Sequence, residues 1–338
     1  MQLIALKEDY SICKILNPIN VQWSRQYYEA GAFLIQISYD EFDADMHYIF
    51  RKDRKEFGII SKINYSASNG NKLVQISGNF AEKKLDDCII CPSFAGRGAH
   101  ADVVLTDMFR SEAWLILHEY DIAEAEGFAT STDYVLNEIG LAEGMYSIAK
   151  LHEMTFTIEY DHITKKKKFY FWQGLDRTQG QNINQPVVFS MGFRNLVNPD
   201  VCIDKEHKNY AYVKGSYNNE NIYVEADAAN DYRIRREVII DGSSVEFEEG
   251  MGLEEYRTKL QKYGLQVLAN EYSSVTNVAF DVDLDSYTYG VDWDLGDKVT
   301  VKIEDMGLVL EARIISVYEV YKDNRLELSV EFGNQKIK

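Results

Sequence analysis

Apolar and polar positions alternate along much of the chain. In Phe33-Leu34-Ile35-Gln36-Ile37-Ser38 one face carries Phe33, Ile35 and Ile37, and Lys72-Leu73-Val74-Gln75-Ile76-Ser77 reads the same way. Period-two alternation with β-branched residues predicts half-buried strands. The pattern is clearest near the C-terminus, in Val299, Val301 and Ile303, then Leu308, Leu310, Ala312 and Ile314, then Leu326, Leu328, Val330 and Phe332. The second run is interleaved with residues that include Glu311 and Arg313. Turn formers separate the runs, at Glu304-Asp305-Met306-Gly307 and Lys322-Asp323-Asn324. Three such runs predict an antiparallel meander with one apolar face, the wall of a barrel or a sandwich.

Helical periodicity is confined to three stretches. Leu105, Met108 and Phe109 share a face between residues 101 and 119, and a second amphipathic stretch covers 143–152. In the third, Leu253, Tyr256, Leu260 and Tyr263 recur at intervals of three and four, and Gly264 then reads as the helix stop. A hairpin is expected from Met154–Tyr160 and Lys168–Gln173, with 161–167 as the turn. This places the run Lys165–Lys168 near a solvated tip, the ordinary place for such charges, with an anion site as the alternative. The polar segment 174–186 reads as a loop.

Composition supports β-structure and bounds the function. The 338 residues suffice for two or three domains and include 23 Tyr, 16 Phe and only 4 Pro. The formal net charge of −18 argues against stable nucleic-acid binding, which needs an excess of Lys and Arg to displace counterions. An acidic surface instead lets DNA pass without sticking. Four cysteines in this length do not make a disulfide framework, and Cys88-x-x-Cys91 lacks the second pair a zinc site needs. The N-terminus does not read as a signal peptide, and no apolar run is long enough to span a bilayer. The chain is therefore expected to be made in the cytoplasm and to stay soluble, or to leave the cell inside a larger particle.

Catalytic signatures are missing from the sequence. There is no G-x-S-x-G, P-loop, dinucleotide fingerprint or H-E-x-x-H. Asp281, Asp283 and Asp285 space like the start of a calcium loop, but positions six and twelve hold Ser286 and Asp292, so a strand with one acidic face is the better reading. Glu29, Asp40, Glu41, Asp43 and Asp45 read as an acidic surface rather than a glycosidase pair. No catalytic residue, cofactor or metal is expected.

Several segments, in order, resemble the siphophage tail proteins related to the baseplate hub. The first is Val21–Phe33, with Trp23, Arg25, Tyr27, Tyr28, Glu29 and Gly31. Then come Val74–Phe80 with Leu85, where Asn79 stands in place of the usual arginine. Gly174-Leu175-Asp176-Arg177-Thr178, Val187–Ser190 and Asn195-Leu196 follow. Arg233–Glu237 leads to Asp241, the helix follows with Tyr256, Arg257, Leu260 and Gly264, and Trp293–Val299 carries the Leu295-Gly296-Asp297 turn. The resemblance implies a mainly β chain with α+β insertions: two tail-tube-like β-barrels plus smaller α/β domains. The implied division is a first barrel over 1–95, an α/β region over 96–200 that interrupts a barrel or stands alone, and a second barrel over 201–338 with one helix near 252–264.

It further implies a non-enzymatic virion subunit at the baseplate or tail tip, a homotrimer that closes the tail tube. Its partners would be the tube or distal tail protein, the tape measure protein and tip or fibre proteins. Trp23, Tyr27 and Tyr28 are expected as packing or interface anchors. Asp176, Arg177, Arg236, Asp241 and Asp297 are expected as salt links or turn-holders. The chain ends at Lys338 soon after its last predicted strand, which weighs against an appended hydrolase. A tail-associated cell-wall hydrolase, a host-glycan-binding module and the hub of a contractile bacteriocin or injection system are the alternatives.

Overall fold

The computed structural model describes residues 2–68, 70–128, 134–204, 206–218, 220–228, 234–243, 245, 247, 250–272, 275–323 and 325–333. Arg233 and Asn324 lie outside these residues. The N-terminal segment folds into β1 (Leu3–Leu6), β2 (Ile12–Leu16), β3 (Asn20–Gln26), β4 (Ala32–Ser38), β5 (Tyr48–Arg51), β6 (Phe57–Ser68) and β7 (Asn71–Phe80), with the predicted alternation at 33–38 and 72–77 in β4 and β7. One face of these strands buries Trp23, Phe33, Ile35, Ile37, Val74, Ile76 and Phe80 in a first core. Trp23 packs against Phe33 and Phe80, with ring centroids 5.9 and 4.8 Å apart.

The middle of the chain forms β8 (Ile89–Gly96), α1 (Ala101–Glu112), β9 (Tyr120–Ile122), β10 (Tyr134–Gly140), α2 (Leu141–Leu151), β11 (Thr155–Asp161) and β12 (Lys166–Trp172). Both helices bury their apolar faces in a second core that also takes in Leu6, Phe50 and Phe57 from the first segment. The expected hairpin is present, but β12 begins at Lys166, so most of the lysine run lies in a strand and not at the tip. Lys167 is buried, pairs with Glu119 at 2.6 Å and lies over the rings of Tyr10 and Tyr120. The first helix stops at Glu112 and not near residue 119, leaving Trp114 and Leu115 exposed in the turn that follows.

The remaining chain makes β13 (Asp176–Arg177), β14 (Val188–Ser190), β15 (Leu196–Asp204), β16 (Tyr210–Tyr217), β17 (Glu220–Asp227), β18 (Glu237–Asp241) and α3 (Leu253–Glu271). It closes with β19 (Val275–Val282), β20 (Lys298–Ile303), β21 (Leu308–Lys322) and β22 (Arg325–Phe332). β16, β17 and β18 form a three-stranded sheet beneath α3, with a core of their own, between the antiparallel partners β15 and β19. Helix α3 runs straight through Gly264, which is therefore not a stop. A Cβ there would lie 2.3 Å from Val213 Cγ2, so glycine lets the helix sit close on the sheet. The buried stripe continues beyond it to Leu268.

The three-strand meander is confirmed in β20, β21 and β22. Strand β21 serves two neighbourhoods. Its first half pairs with β20, and its second half, after an irregularity between Ile314 and Ser316, pairs with β22 and β3. The result is one 14-stranded sheet whose main path runs β15-β19-β22-β21-β3-β4-β7-β6-β5-β1-β2, with β20 off that path and flanked by β13 and β14. Among the described residues this path does not close on itself. The protein is thus mainly β with several sheets. Asp281 lies in β19, but the strand ends at Val282, so the three aspartates do not line one strand face. Asp281 holds Asn198 and Ser329, and Asp283 accepts from Asp285 N in a turn.

Candidate functional site: the joint between two cores

β3 and β21 meet where the first core gives way to another, built from Tyr27, Phe189, Phe280, Trp293, Val301 and Phe332. Trp23 belongs to one core and Tyr27 to the other, though only four positions separate them. The segment Trp23–Tyr28 is one physical link between the cores, and β21, with Val317 in one and Tyr321 against the other, is a second. Large aromatics suit this position because each buries much apolar area, worth about 1.5–3 kcal/mol per side chain.

On the Tyr27 side the chain crosses itself closely. A Cβ on Gly174 would lie 1.9 Å from Gly296 O, and one on Gly296 would lie 2.3 Å from Tyr27 Cε2. Gly296 also has φ +84°, which favours glycine. The buried Asp297 holds this crossing. Its carboxylate accepts from Leu175 N at 2.8 Å, Arg177 Nε at 2.9 Å and Asp294 N at 3.0 Å. Burial outweighs those bonds and raises the Asp297 carboxyl above its ordinary value. Tyr27 donates its hydroxyl to Glu153 O at 3.0 Å and accepts from Gly174 N at 3.2 Å, and burial pushes it up to about 12. The Glu153 carboxylate accepts from Arg313 at 2.9 Å and pairs with Lys298. Burial alone would raise that carboxyl, but the Lys298 and Arg313 bonds hold it below its ordinary value.

On the Trp23 side, three arginines converge. Arg25 pairs with Glu56 and donates to Asp294 at 2.6 Å and to Tyr289. Arg54 grips Glu319 with two bonds of 3.0 Å, and Arg51 reaches the same carboxylate at 3.1 Å. Arg51 also lies over Trp23 and Arg54 over Tyr289, at 5.1 and 4.7 Å from the ring centres. Planar guanidinium groups suit this double duty of forked bonding and stacking. Glu319 is 2% exposed, so its charge depends on these partners.

Next to the joint lies a small cavity of about 30 Å³ with mixed walls, lined by Arg25, Glu56, Glu82 and Thr155 on the polar side and by Phe80 and Trp172 among the aromatics. Glu82 accepts from Ile158 N and Thr157 Oγ1, both at 2.9 Å, and burial raises its carboxyl. The arrangement ties segments together. Its carboxylates accept from or pair with guanidinium, ammonium, hydroxyl or backbone donors, while Glu56 Oε2 and Glu82 Oε2 are buried without a hydrogen-bond partner. Among the described residues, no three His, Cys, Asp or Glu converge as a metal site.

The structure gathers some of the expected residues and scatters others. Tyr27, Arg177 and Asp297 meet in the crossing, Tyr28 packs edge-on against Tyr27, and Trp23 lies in the neighbouring core. Asp176 is exposed and accepts from Thr178 N and Oγ1. Arg236 and Asp241 lie on the inserted sheet, away from the joint. There Arg236 contacts His207 Nδ1 at 3.2 Å and Asp241 accepts from Ser243 N at 3.0 Å. Glu56, Glu153, Arg313 and Glu319 escape the sequence reading. The signal for Glu319 was present: it sits two residues after the buried Val317, a charge at an inward position of an alternating strand.

The fold has clear relatives among solved structures. The crystal structure of the tail protein from Neisseria meningitidis MC58 superposes with a TM-score of 0.64 at 13% identity, covering 98% of this chain and 96% of that one. The prophage MuSo2 43 kDa tail protein from Shewanella oneidensis gives 0.62 at 14% identity, covering 98% of each chain. Prophage tail protein gp18 from Listeria monocytogenes EGD-e gives 0.56 at 11% identity, covering 99% and 94%. A search among curated proteins finds no match. The fold is therefore that of phage and prophage tail proteins. The model of the Siphovirus ReqiPepy6 Gp37-like family matches residues 140–334, more than half of the chain, and the protein belongs to that family.

Proposed function

We propose that this chain is a non-enzymatic structural subunit of a phage or prophage tail, forming the hub at the baseplate or tail tip. The observation that carries the reading is the likeness to tail proteins along nearly the whole chain, 98% of it in the Neisseria case. The hub would close the tail tube and join it to tip or fibre proteins, as a homotrimer in contact with the distal tail and tape measure proteins. Its domains would be a first barrel-like wall over residues 1–95, an α/β region over 96–200 and a second wall over 201–338. The cores support discontinuous borders, because the second wall draws Tyr27 from the first segment and the 210–272 region folds on its own core. The buried joint supports the role: a subunit under shear along the tail axis gains from charged ties that hold two walls in one geometry. Net acidity suits a lumen through which DNA passes.

Mass spectrometry of purified particles tests the proposal. A trimeric hub is expected at about half the copy number of one tube ring, from closed-ring symmetry. Absence from particles, or abundance equal to the tube protein, overturns it, and clearing of cell walls in a zymogram by the purified chain overturns the non-enzymatic reading.

A further inference from the structure

Strands β6 and β7 form a hairpin that outruns its sheet. β7 pairs with β4 only as far as Leu73↔Ser38, yet the hairpin continues to Ser68↔Asn71. On the opposite edge β5 pairs with β6 over Phe57–Ile59 and His47 accepts from Ile60 N. Beyond that, among the described residues, no strand pairs with the outer edge of Ser61–Ser68. Both faces of this arm are exposed. One face carries Ile63 and Tyr65, 40% and 55% exposed, with Tyr65 edge-on against Tyr39, itself 45% exposed. An open strand edge with apolar side chains is a template for pairing and calls for a cover.

The charge pattern says what covers it. From Phe57 to Ala81 there is no carboxylate, and the only charges are Lys62 and Lys72. The arm thus carries +2 on a chain of net −18, so the remainder carries −20. Two arms laid edge to edge would oppose like charges, whereas an arm laid on the body of another copy meets the opposite sign. We infer that the β6–β7 arm docks on the acidic body of a second copy of this chain, adding its open edge and the Ile63–Tyr65 face to a head-to-tail contact. Such a contact uses two different patches, so it propagates around a ring. The inference deepens the hub reading and supplies the surface through which copies would join.

The test uses the full chain in solution. Light scattering after size exclusion is expected to give a multiple of 38.9 kDa for the wild type, weakened by salt because the contact is partly electrostatic. The double variant Ile63→Glu, Tyr65→Glu is expected to run as a monomer with unchanged circular dichroism and melting, since both side chains are exposed. The charge reversal Lys62→Glu, Lys72→Glu is expected to do the same with Ile63 and Tyr65 left in place. Amide exchange over 61–68 is expected to be roughly tenfold slower in the assembled wild type than in either variant. A wild type that stays monomeric, or variants that keep its assembly mass and exchange protection, overturn the inference. The hub reading fails separately, if the wild-type chain is absent from particles, whereas its presence there beside unchanged variant assembly sinks the arm alone.

Discussion

Asp297, Tyr27 and Glu153 show how single side chains fix the crossing of two segments. Replacing Asp297 by alanine leaves Arg177 and Leu175 N without their acceptor, and the expected loss is about 3–5 kcal/mol in urea unfolding, the range for breaking a buried pair. Tyr27→Phe, which keeps the ring and removes two bonds, is expected to cost about 2 kcal/mol by the same measurement. The carboxyls also set opposite pH trends. Glu153 has a folded value below its ordinary 4.5, so its contribution is present above that value and lost as pH falls through the lower one. Glu82 is raised by burial, so its charged form opposes folding at neutral pH, and that cost fades as pH falls through the raised value. Glu153→Gln should therefore be destabilised relative to wild type at pH 7, with the gap closing in acid. Glu82→Gln, by contrast, should gain at pH 7 and lose the gain in acid. Urea midpoints across a pH series check both signs.

At the scale of elements, the close seat of α3 on its sheet depends on Gly264. Gly264→Ala places a methyl 2.3 Å from Val213 Cγ2 and 2.8 Å from Ala226 Cβ, and overpacking of this kind costs about 1–3 kcal/mol. Because β16, β17, β18 and α3 have their own core, the loss should appear as faster hydrogen exchange in 210–217 and 253–271 while β20 to β22 stay protected. Here the sequence misled for a physical reason. A glycine after a periodic run commonly ends a helix, and only the approach of Val213 and Ala226 reveals one that is needed for packing. The lysine run misled likewise, since burial of Lys167 depends on Glu119, 48 residues earlier in the chain.

Across the whole molecule, Glu319 ties together distant parts of the chain. It joins β21 to the Arg51–Arg54 turn near the seam where the two large cores meet. Glu319→Ala takes from Arg54 its carboxylate partner and leaves Arg51 with Asp53 alone, and an expected loss of about 3–5 kcal/mol in stability should be accompanied by failure to enter particles, read by infectivity and particle composition. Because the pair is buried, that loss should change little with added salt, unlike the contact made by the exposed arm.

The sequence alone placed the three helices, the strands at 33–38 and 72–77, the 154–173 hairpin and the C-terminal meander, because alternation and three-four periodicity are local properties of the chain. The resemblance to tail proteins singled out Trp23, Tyr27 and the Leu295-Gly296-Asp297 turn separately. The tertiary structure alone decided that Arg313 and Glu153 meet across 160 positions, that β21 serves two neighbourhoods, and that residues 210–272 stand as an insertion. Buried charges can be paired only once distant segments are brought together, and periodicity carries no information about which distant segment that is.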